Sequence, residues 1–304
     1  MQGRSKYLPN APSRSRMCAR ATNFAMQPNN PIANKNPSRL SCPCSKKRLN
    51  MDIHSIRGPL SLKSIWKAPL HQSPSGPLRF LIRSTLSLAG RKLVSCQGVE
   101  HIQPDHDPFI LVLNHSQKLE AIYIPALLYY LRGGRVVHFL ADWNFCLVPG
   151  VWFFYHYGQV ITVSRKPAKP KFLNVFKPLF TSRQSSVSQA RKTLEAGKSI
   201  GIFPEGTTNR HPTKLLKGYT GAAQLSLKTG IPVVTAGLTF PSKEGYKKIP
   251  EGVPFSVEFS APIQPPRLPH DIGLKDIHQH HASIMQRLAS LSQKTWTASE
   301  PRRP

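Results

Sequence analysis

Acidic residues are scarce in this 304-residue chain, which has 14 Asp and Glu against 42 Lys and Arg and a formal net charge of +28. Charged residues make up 18% of the chain and hydrophobic residues 39%. This composition argues against a wholly disordered chain and, because Glu is rare, against a coiled coil. The excess of positive charge predicts an anionic partner: a nucleic acid, a phospholipid surface or a phosphorylated substrate.

Long apolar runs and paired cysteines are lacking as well. No stretch reaches the roughly 18 consecutive apolar residues that a membrane-spanning helix requires. The five cysteines have no paired spacing, which favours a reducing compartment without a disulfide framework. The Cys42-Pro43-Cys44 pair has no further Cys or His at metal-ligand spacing, so we expect no zinc site there.

The N-terminal region differs in composition from the rest of the chain. Residues 1–51 contain ten Lys and Arg, no Asp or Glu, and no apolar segment of the kind found in secretory signals. Three interpretations stay open: an organelle transit peptide, a disordered tail, or sequence upstream of a true start at Met51. We expect a basic tail or transit-like segment over 1–60 and a folded domain over 76–304.

Within that domain we expect an N-terminal amphipathic helical segment (76–100), an α/β core (105–265) and a C-terminal helix and tail (266–304). Residues 76–95 mix Leu and Phe with Arg and Lys, which suits a helix in a membrane interface or an ordinary surface helix. In the core, strand-like and helix-like segments alternate, which predicts a largely parallel sheet flanked by helices. The predicted strands are 109–113, 136–141, 159–163, 199–203, 232–238 and 254–259; the predicted helices are 121–131, 188–196 and 215–229.

Two loops that follow predicted strands carry reactive side chains, as expected beyond the carboxyl ends of parallel strands. In the loop 114–120 (NHSQKLE), His115 is suited to take a proton near neutral pH. Glu120 can curl back over one helical turn to the other ring nitrogen, fixing the tautomer and stabilising the imidazolium. In the loop 203–210 (FPEGTTNR), Gly206 permits close backbone approach and Arg210 is available to a phosphate.

These loops and two further segments resemble the glycerolipid acyltransferase superfamily, which includes glycerol-3-phosphate and 1-acylglycerol-3-phosphate acyltransferases. NHSQKLE is similar to its His-x4-Asp block, and FPEGTTNR to its Phe-Pro-Glu-Gly-Thr block. GQVITVSR (158–165) is similar to the block between them, which ends in a substrate-binding Arg, and GIPVVTAG (230–237) to the fourth block. The resemblance covers residues 76–265, with all four blocks in order.

The resemblance implies a membrane-associated O-acyltransferase. It would transfer a fatty acyl group from acyl carrier protein or coenzyme A to a lysophospholipid, with 1-acylglycerol-3-phosphate as the expected acceptor and phosphatidic acid as the product. No metal or redox cofactor is implied; the implied partners are a phospholipid surface, the acyl donor and the acceptor, and no nucleic acid. The implied location is the cytoplasmic face of a bacterial membrane, or a plastid membrane if the N-terminal segment is a transit peptide.

The resemblance also assigns roles to individual residues. His115 is implied as the base that deprotonates the acceptor hydroxyl, and Glu120 as the group that orients it. Glu120 stands where most members carry Asp, but it keeps the charge and the acceptor atoms, so we expect activity to survive. Residues implied to bind substrate are Arg165, which would hold the acceptor phosphate, and Glu205, Gly206, Thr207 and Lys217.

Several alternatives stay open. One alternative is a different acceptor, for example glycerol-3-phosphate or another lysolipid, and another is a catalytically weak lipid-binding member. Glu205 has a second interpretation, as a structural cap of its loop through backbone amides. Nucleic-acid binding is suggested by charge alone, because no recognised nucleic-acid module is present.

Two other segments have a recognisable pattern. Residues 145–155 (FCLVPGVWFFY) are apolar and aromatic but too short to span a bilayer, and we expect them to combine core packing with membrane contact. Apolar residues at helical spacing over 274–291 predict an amphipathic C-terminal helix. We expect the histidines of DIHQHH (276–281) to be exposed on the polar face of this helix rather than to bind a metal.

Overall fold

The fold is taken from a computed structural model, which describes residues 55–148, 151–164, 167, 171–181, 184–241, 245–267 and 271–299. These residues lie within one compact unit, Asn50–Pro304. The first 54 residues of the predicted tail lie outside the described residues, while Ser55–Arg57, near its predicted end, form a strand. The other domain bounds stay predictions.

A single mixed sheet organises the described residues. Its strands are β1 (Ser55–Arg57), β2 (Leu93–Gln97), β3 (Ile110–Leu113), β4 (His138–Asp142), β5 (Ile161–Val163), β6 (Ile200–Ile202), β7 (Val233–Thr239) and β8 (Phe255–Phe259). They lie in the order β1-β2-β8-β7-β3-β6-β4-β5. The β1–β2 and β7–β8 pairs are antiparallel and the other described pairs are parallel. The predicted α/β class with a largely parallel sheet is confirmed.

Helices cover both faces of this sheet. They are α1 (Leu62–Lys67), α2 (Gly76–Ala89), α3 (Glu120–Leu131), α4 (Val151–Tyr157), α5 (Lys177–Phe180), α6 (Ser186–Glu195), α7 (Gly221–Thr229) and α8 (Leu274–Ser292). Side chains of β3 alternate between two apolar clusters: Leu111 and Leu113 pack with residues of α2 and α3, whereas Ile110 and Val112 pack with residues of α6, α7 and α8. Burial on both faces explains why this strand is continuously apolar.

The predicted helix over 76–95 is too long at its C-terminal end. Helix α2 ends at Ala89, a 3₁₀ turn follows at Gly90–Lys92, and the chain then enters β2. Leu93 and Cys96 are buried within β2 because this strand pairs with β8, more than 150 residues further along the chain. That distant pairing overrides the local helical pattern.

Two predictions about the C-terminal half are also wrong. The helix predicted over 215–229 begins only at Gly221, because Gly218 has a φ of +76° and interrupts any helix through it. Helix α8 forms as predicted, but His280 and His281 are buried rather than exposed; His278 alone of the three faces solvent. The two buried rings bond to α7 and to the segment before it, so they belong to the packed face.

Helix α8 and the residues after it return to the centre of the fold. Helix α8 packs on β7 and on α7, and Thr295 then forms a bridge with Lys214. The segment 145–155 is divided between burial and exposure: Cys146 is buried, while Phe145, Trp152 and Phe153 are exposed. Within the described ranges, no helix combines the length and the apolar character needed to cross a bilayer.

Candidate active site

The loop between β3 and α3 is fixed from both sides. The Asn114 side chain bonds to the backbone of β7: its Nδ2 donates to the Leu238 carbonyl at 3.1 Å and its Oδ1 accepts from the Leu238 amide at 2.8 Å. The Gln117 side chain accepts from the Gly252 amide at 2.6 Å and donates to the Val253 carbonyl at 3.1 Å. His115 therefore projects from a rigid loop at the carboxyl end of the central strand.

His115 and Glu120 form the predicted pair. The Nδ1 atom of His115 lies 3.1 Å from Oε2 of Glu120, and the Ser116 amide donates to the same oxygen at 2.7 Å. Glu120 is the first residue of α3 and is buried, so its carboxylate sits at the helix N-terminus, where the helix dipole stabilises negative charge. Because an ionised carboxylate only accepts, the network assigns the proton to Nδ1 and leaves the lone pair on Nε2.

The imidazole is packed but not sealed in the interior. Its side chain keeps 11% of its surface exposed, which leaves a narrow opening for a substrate group. The Phe203 ring lies beside it, with centroids 4.5 Å apart and planes inclined by 37°. The centroid of the Phe203 ring lies 5.6 Å from that of Phe139, so the two aromatic rings form an apolar wall on one side of the imidazole.

The second predicted loop lies directly against the first. The Asn209 amide donates to the His115 carbonyl at 2.6 Å, which joins the two loops by their backbones. Glu205 is buried, and its Oε2 accepts from Asn209 Nδ2 at 2.6 Å and from the Leu216 amide at 2.9 Å. These contacts fit the interpretation of Glu205 as a cap that holds its loop through backbone amides.

Competing effects act on the Glu205 carboxyl. Burial raises its pKa, and the Leu216 amide, Asn209, the Lys294 ammonium and the His115 amide each act to lower it. Its Oε1 atom is buried and makes no hydrogen bond of good geometry within the described residues. The carboxyl is thus surrounded by donors and by one buried cation.

The turn after Glu205 requires glycine. Gly206 has a φ of +64°, and a Cβ on it would lie 2.7 Å from Cε2 of Tyr219. The Tyr219 amide donates to the Pro204 carbonyl at 2.8 Å, so this contact is held by the backbone. Gly206 is exposed and Thr207 half-buried, which leaves this part of the loop accessible to a substrate.

Three further residues were predicted from the sequence: Arg165, Lys217 and Arg210. Arg165 falls outside the described residues. Lys217 is half-buried in the segment before α7, and its carbonyl accepts from Nε2 of His281 at 3.0 Å and from Nε1 of Trp296 at 3.2 Å. The Nε of Arg210 donates to the Ile249 carbonyl at 2.6 Å, so this guanidinium is tied to the neighbouring loop.

One residue near the site was not predicted. Lys294 follows α8, is buried, and donates from Nζ to Ser116 Oγ at 3.0 Å and to the His211 carbonyl at 2.8 Å. It stands beyond the four sequence blocks, and no local pattern distinguishes it from an ordinary surface lysine. Only the return of the chain after α8 brings it beside His115.

Together these features define an α/β protein with a candidate general-base site. An oriented imidazole lies at the carboxyl end of a parallel sheet, next to a glycine turn and a buried carboxylate. Such a site is equipped to remove a proton from a hydroxyl group.

Comparisons with known proteins relate part of this chain to a family. Residues 93–239 match the model of a family described as Acyltransferase. The 1-acyl-sn-glycerol-3-phosphate acyltransferase of Borreliella burgdorferi is 30% identical over 162 residues, which cover 53% of this chain and 56% of that protein. The match thus spans little more than half the length of this curated relative.

A solved structure is also similar, that of the 1-acyl-sn-glycerophosphate (LPA) acyltransferase PlsC from Thermotoga maritima. The TM-score is 0.47 and the identity 19%, over 78% of this chain and 81% of that one. The family model and the curated relative confirm the resemblance predicted from the four blocks, which they extend to residues 93–239 as a similarity to the acyltransferase family. Acyltransferase, the predicted enzyme class, is also the class that both of these findings name.

Proposed function

We propose that this chain is an O-acyltransferase that moves a fatty acyl group from acyl-coenzyme A or acyl carrier protein to 1-acylglycerol-3-phosphate, giving phosphatidic acid. The observation that carries the proposal is the His115–Glu120 pair, 3.1 Å apart, beside the glycine turn of an acyltransferase-family segment. The name of the curated relative supports the choice of acceptor.

The chemistry follows from the assigned tautomer. Nε2 of His115 takes the proton of the acceptor hydroxyl as its oxygen attacks the thioester carbonyl carbon. Glu120 stabilises the imidazolium through Nδ1. When the tetrahedral intermediate collapses, the C–S bond breaks and the leaving sulfur takes the proton from Nε2, so ester and free thiol are formed and the imidazole is neutral again. No acyl-enzyme and no metal or redox group is needed in these steps.

Two effects supply the rate. Positioned base catalysis accelerates a reaction on the order of 10²- to 10⁴-fold. Holding the hydroxyl against the thioester contributes more, since reacting groups held in the right geometry behave as if at very high concentration. We assign Gly206, Thr207, Lys217 and Arg165 to binding of the acceptor, with Arg165 on its phosphate. Glu205 acts by holding the loop that carries Gly206 and Thr207.

A lipid surface is the proposed location, and the exposed apolar side chains support it. Many of them lie on α1, α2, α4, α5 and the 3₁₀ turns 143–147 and 171–176, or directly after the first of these turns; they are Leu62, Trp66, Phe80, Leu88, Phe145, Val148, Trp152, Phe153, Phe172, Val175, Phe176 and Leu179. Helix α4 contacts α2, α5 contacts the turn 143–147, and α2 contacts α3, which begins with Glu120. We call this set of side chains the apolar face.

Basic residues accompany the apolar face. Lys63, Lys67 and Arg79 are exposed on α1 and α2, and the Arg83 guanidinium lies 5.8 Å from the centre of the Trp66 ring. Near an anionic membrane each basic residue contributes about 1 kcal/mol of attraction. An anionic phospholipid surface therefore complements both the charge and the apolar character of this region.

The test is a transfer assay with purified protein, labelled acyl donor and a panel of acceptors. We expect transfer to 1-acylglycerol-3-phosphate to exceed transfer to glycerol-3-phosphate and other lysolipids, and His115→Ala to lower kcat at least about 100-fold. His278→Ala, at an exposed histidine of α8, is the matched control. Equal rates for His115→Ala and the parent would disprove the assigned base, and liposome binding without turnover on any acceptor would indicate a lipid-binding protein instead.

A further inference from the structure

Lys294, which follows the C-terminal end of α8, is a buried lysine. Helix α8 ends at Ser292, Gln293 takes a left-handed conformation with φ +51°, and the chain turns back toward the site. Thr295 then pairs with a neighbouring segment: its amide donates to the Thr213 carbonyl at 2.8 Å, and the Leu215 amide donates to its carbonyl at 2.9 Å. These bonds fix the backbone on which the Lys294 side chain points inward.

The Lys294 ammonium contacts both predicted loops. Its Nζ donates to Ser116 Oγ at 3.0 Å, next to His115, and to the His211 carbonyl at 2.8 Å, just beyond the loop of Glu205. The Ser116 amide in turn donates to Glu120 Oε2 at 2.7 Å. One hydroxyl-bearing residue thus connects the ammonium to the carboxylate of the pair.

The surroundings of Lys294 are those of a buried counter-charge. Its exposure is 6%, and that of Glu205 is 1%. A buried ammonium and a buried carboxylate are each costly alone, and either one reduces the cost of the other. In agreement, the charge of Lys294 acts to lower the pKa of Glu205.

A nucleophilic Ser–Lys pair is an alternative that the geometry disfavours. Ser116 has no exposed surface, so its hydroxyl cannot meet an acyl donor. Lys294 also donates to a carbonyl, which fits a charged ammonium rather than a neutral amine acting as a base. Lys294 is therefore placed to orient other groups rather than to react.

We propose that Lys294 is a positioning residue, whose buried ammonium holds the His115 loop and the Glu205 loop in register. The inference rests on the proposed transferase function for its kinetic consequence, but not for its structural one. It also assigns a role to the segment after α8, which lies outside the family-matched residues 93–239.

The experiment uses the full chain and four variants: Lys294→Met, Glu205→Gln, the double variant, and Lys275→Met as a control on the exposed part of α8. Each single substitution in the buried unit leaves one charge without its counter-charge, so we expect each to lower Tm. In the double variant no unbalanced charge remains, so we expect its loss of Tm to be clearly smaller than the sum of the two single losses. Lys275→Met is expected to leave Tm unchanged.

The kinetic readout separates positioning from general destabilisation. At a temperature where all variants are folded, we expect Lys294→Met to lower kcat about 10- to 100-fold and to change KM less than about threefold, because a misplaced base affects the chemical step more than binding. If Lys294→Met does not fold, Lys294→Gln, which keeps a donor without the charge, takes its place.

Two results would overturn the proposal: a kcat for Lys294→Met equal to that of Lys275→Met, or additive losses of Tm in the double variant. A parent protein that transfers no acyl group to any acceptor would instead contradict the proposed function. The Tm comparison would still decide the proposal in that case, because it needs no turnover.

Discussion

At the scale of single residues, Glu120 shows how a longer side chain replaces the Asp that the superfamily block usually carries. Its carboxylate folds back over the first turn of α3, and one oxygen accepts from both His115 Nδ1 and the Ser116 amide. The other oxygen is buried and makes no hydrogen bond of good geometry within the described residues. The orientation of the His115 ring therefore depends on a single carboxylate oxygen, placed by the backbone of its own loop.

This geometry leads to a prediction for two substitutions of Glu120. Glu120→Gln removes the charge that stabilises the imidazolium, and we expect kcat to fall about 100-fold. Glu120→Asp keeps the charge but shortens the reach by one methylene, and we expect kcat to stay within about tenfold of the parent. Steady-state acyl transfer measures both; a Gln variant more active than the Asp variant would show that the charge is not what matters.

Gly206 leads to a second prediction, on stability. Gly206→Ala introduces strain in the left-handed region, of about 1–2 kcal/mol, and adds a contact with the Tyr219 ring. Gly197→Ala is the matched control, because Gly197 has a φ of +71° but open space around its Cβ position. We expect urea unfolding to show a larger loss of unfolding free energy for Gly206→Ala; equal losses would mean that the ring moves aside freely.

Sequence reasoning reached part of the site for a physical reason. His115 and Glu120 lie five residues apart at the start of a helix, so local geometry alone brings them together. Lys294 is 178 residues from Ser116, and its approach depends on how α8 packs against β7. No local pattern encodes such a contact.

At the scale of helices and strands, the same distinction between local sequence patterns and contacts of distant segments applies. The predicted strand 109–113 matches β3, because an apolar run of five residues is long enough for a buried strand but too short for a buried helix. The predicted helix 215–229 was wrong over its first six residues, where the backbone amides of Leu216 and Tyr219 are engaged by Glu205 and Pro204. Those bonds are made with another loop and compete with helix formation.

The apolar face supports a third prediction, on lipid binding. Leu88 on α2 and Leu179 on α5 are among its most exposed members, at 86% and 76%. The double variant Leu88→Asp/Leu179→Asp should weaken binding to anionic liposomes at least about tenfold, because insertion of a large apolar side chain contributes up to about 1.5–3 kcal/mol. Liposome sedimentation at two salt concentrations measures the effect.

The matched control for this prediction is the double variant Leu274→Asp/Val187→Asp, which adds the same two negative charges at exposed apolar residues of α8 and α6. Leu274 is equally exposed, at 74%, but begins α8, which packs on β7 and α7. We expect this variant to bind liposomes as the parent does. Equal weakening by both variants would mean that binding follows net charge and not the apolar face.

At the scale of the whole molecule, the buried ionisable groups couple stability to pH. Burial lowers the pKa of His138, His280 and His281. Burial raises the pKa of Glu205, which acts in the opposite direction. The net effect of pH on the fold is a balance between the histidines and this carboxyl.

The sign for the histidines follows from proton uptake. An unfolded histidine titrates at about pH 6.5, and a buried one at a lower pH. Between these two values the unfolded chain binds more protons than the folded protein, so the free energy of unfolding falls as the pH falls. For Glu205 the folded state binds the extra proton, so its contribution rises as the pH falls below its raised pKa.

These opposing signs make the difference between variants the quantity to measure. Going from pH 7.5 to pH 5.5, we expect His280→Gln/His281→Gln to lose less unfolding free energy than the parent, by up to about 1.4 kcal/mol per histidine and pH unit within the titration window. Nearby charges that also act on the His281 ring are His278 and Lys217, so neither is changed. His71→Gln, at an exposed histidine outside α8, is the control. Urea unfolding at pH 7.5, 6.5 and 5.5 gives the slopes; identical slopes for the double variant and the parent would show that neither buried ring titrates on unfolding.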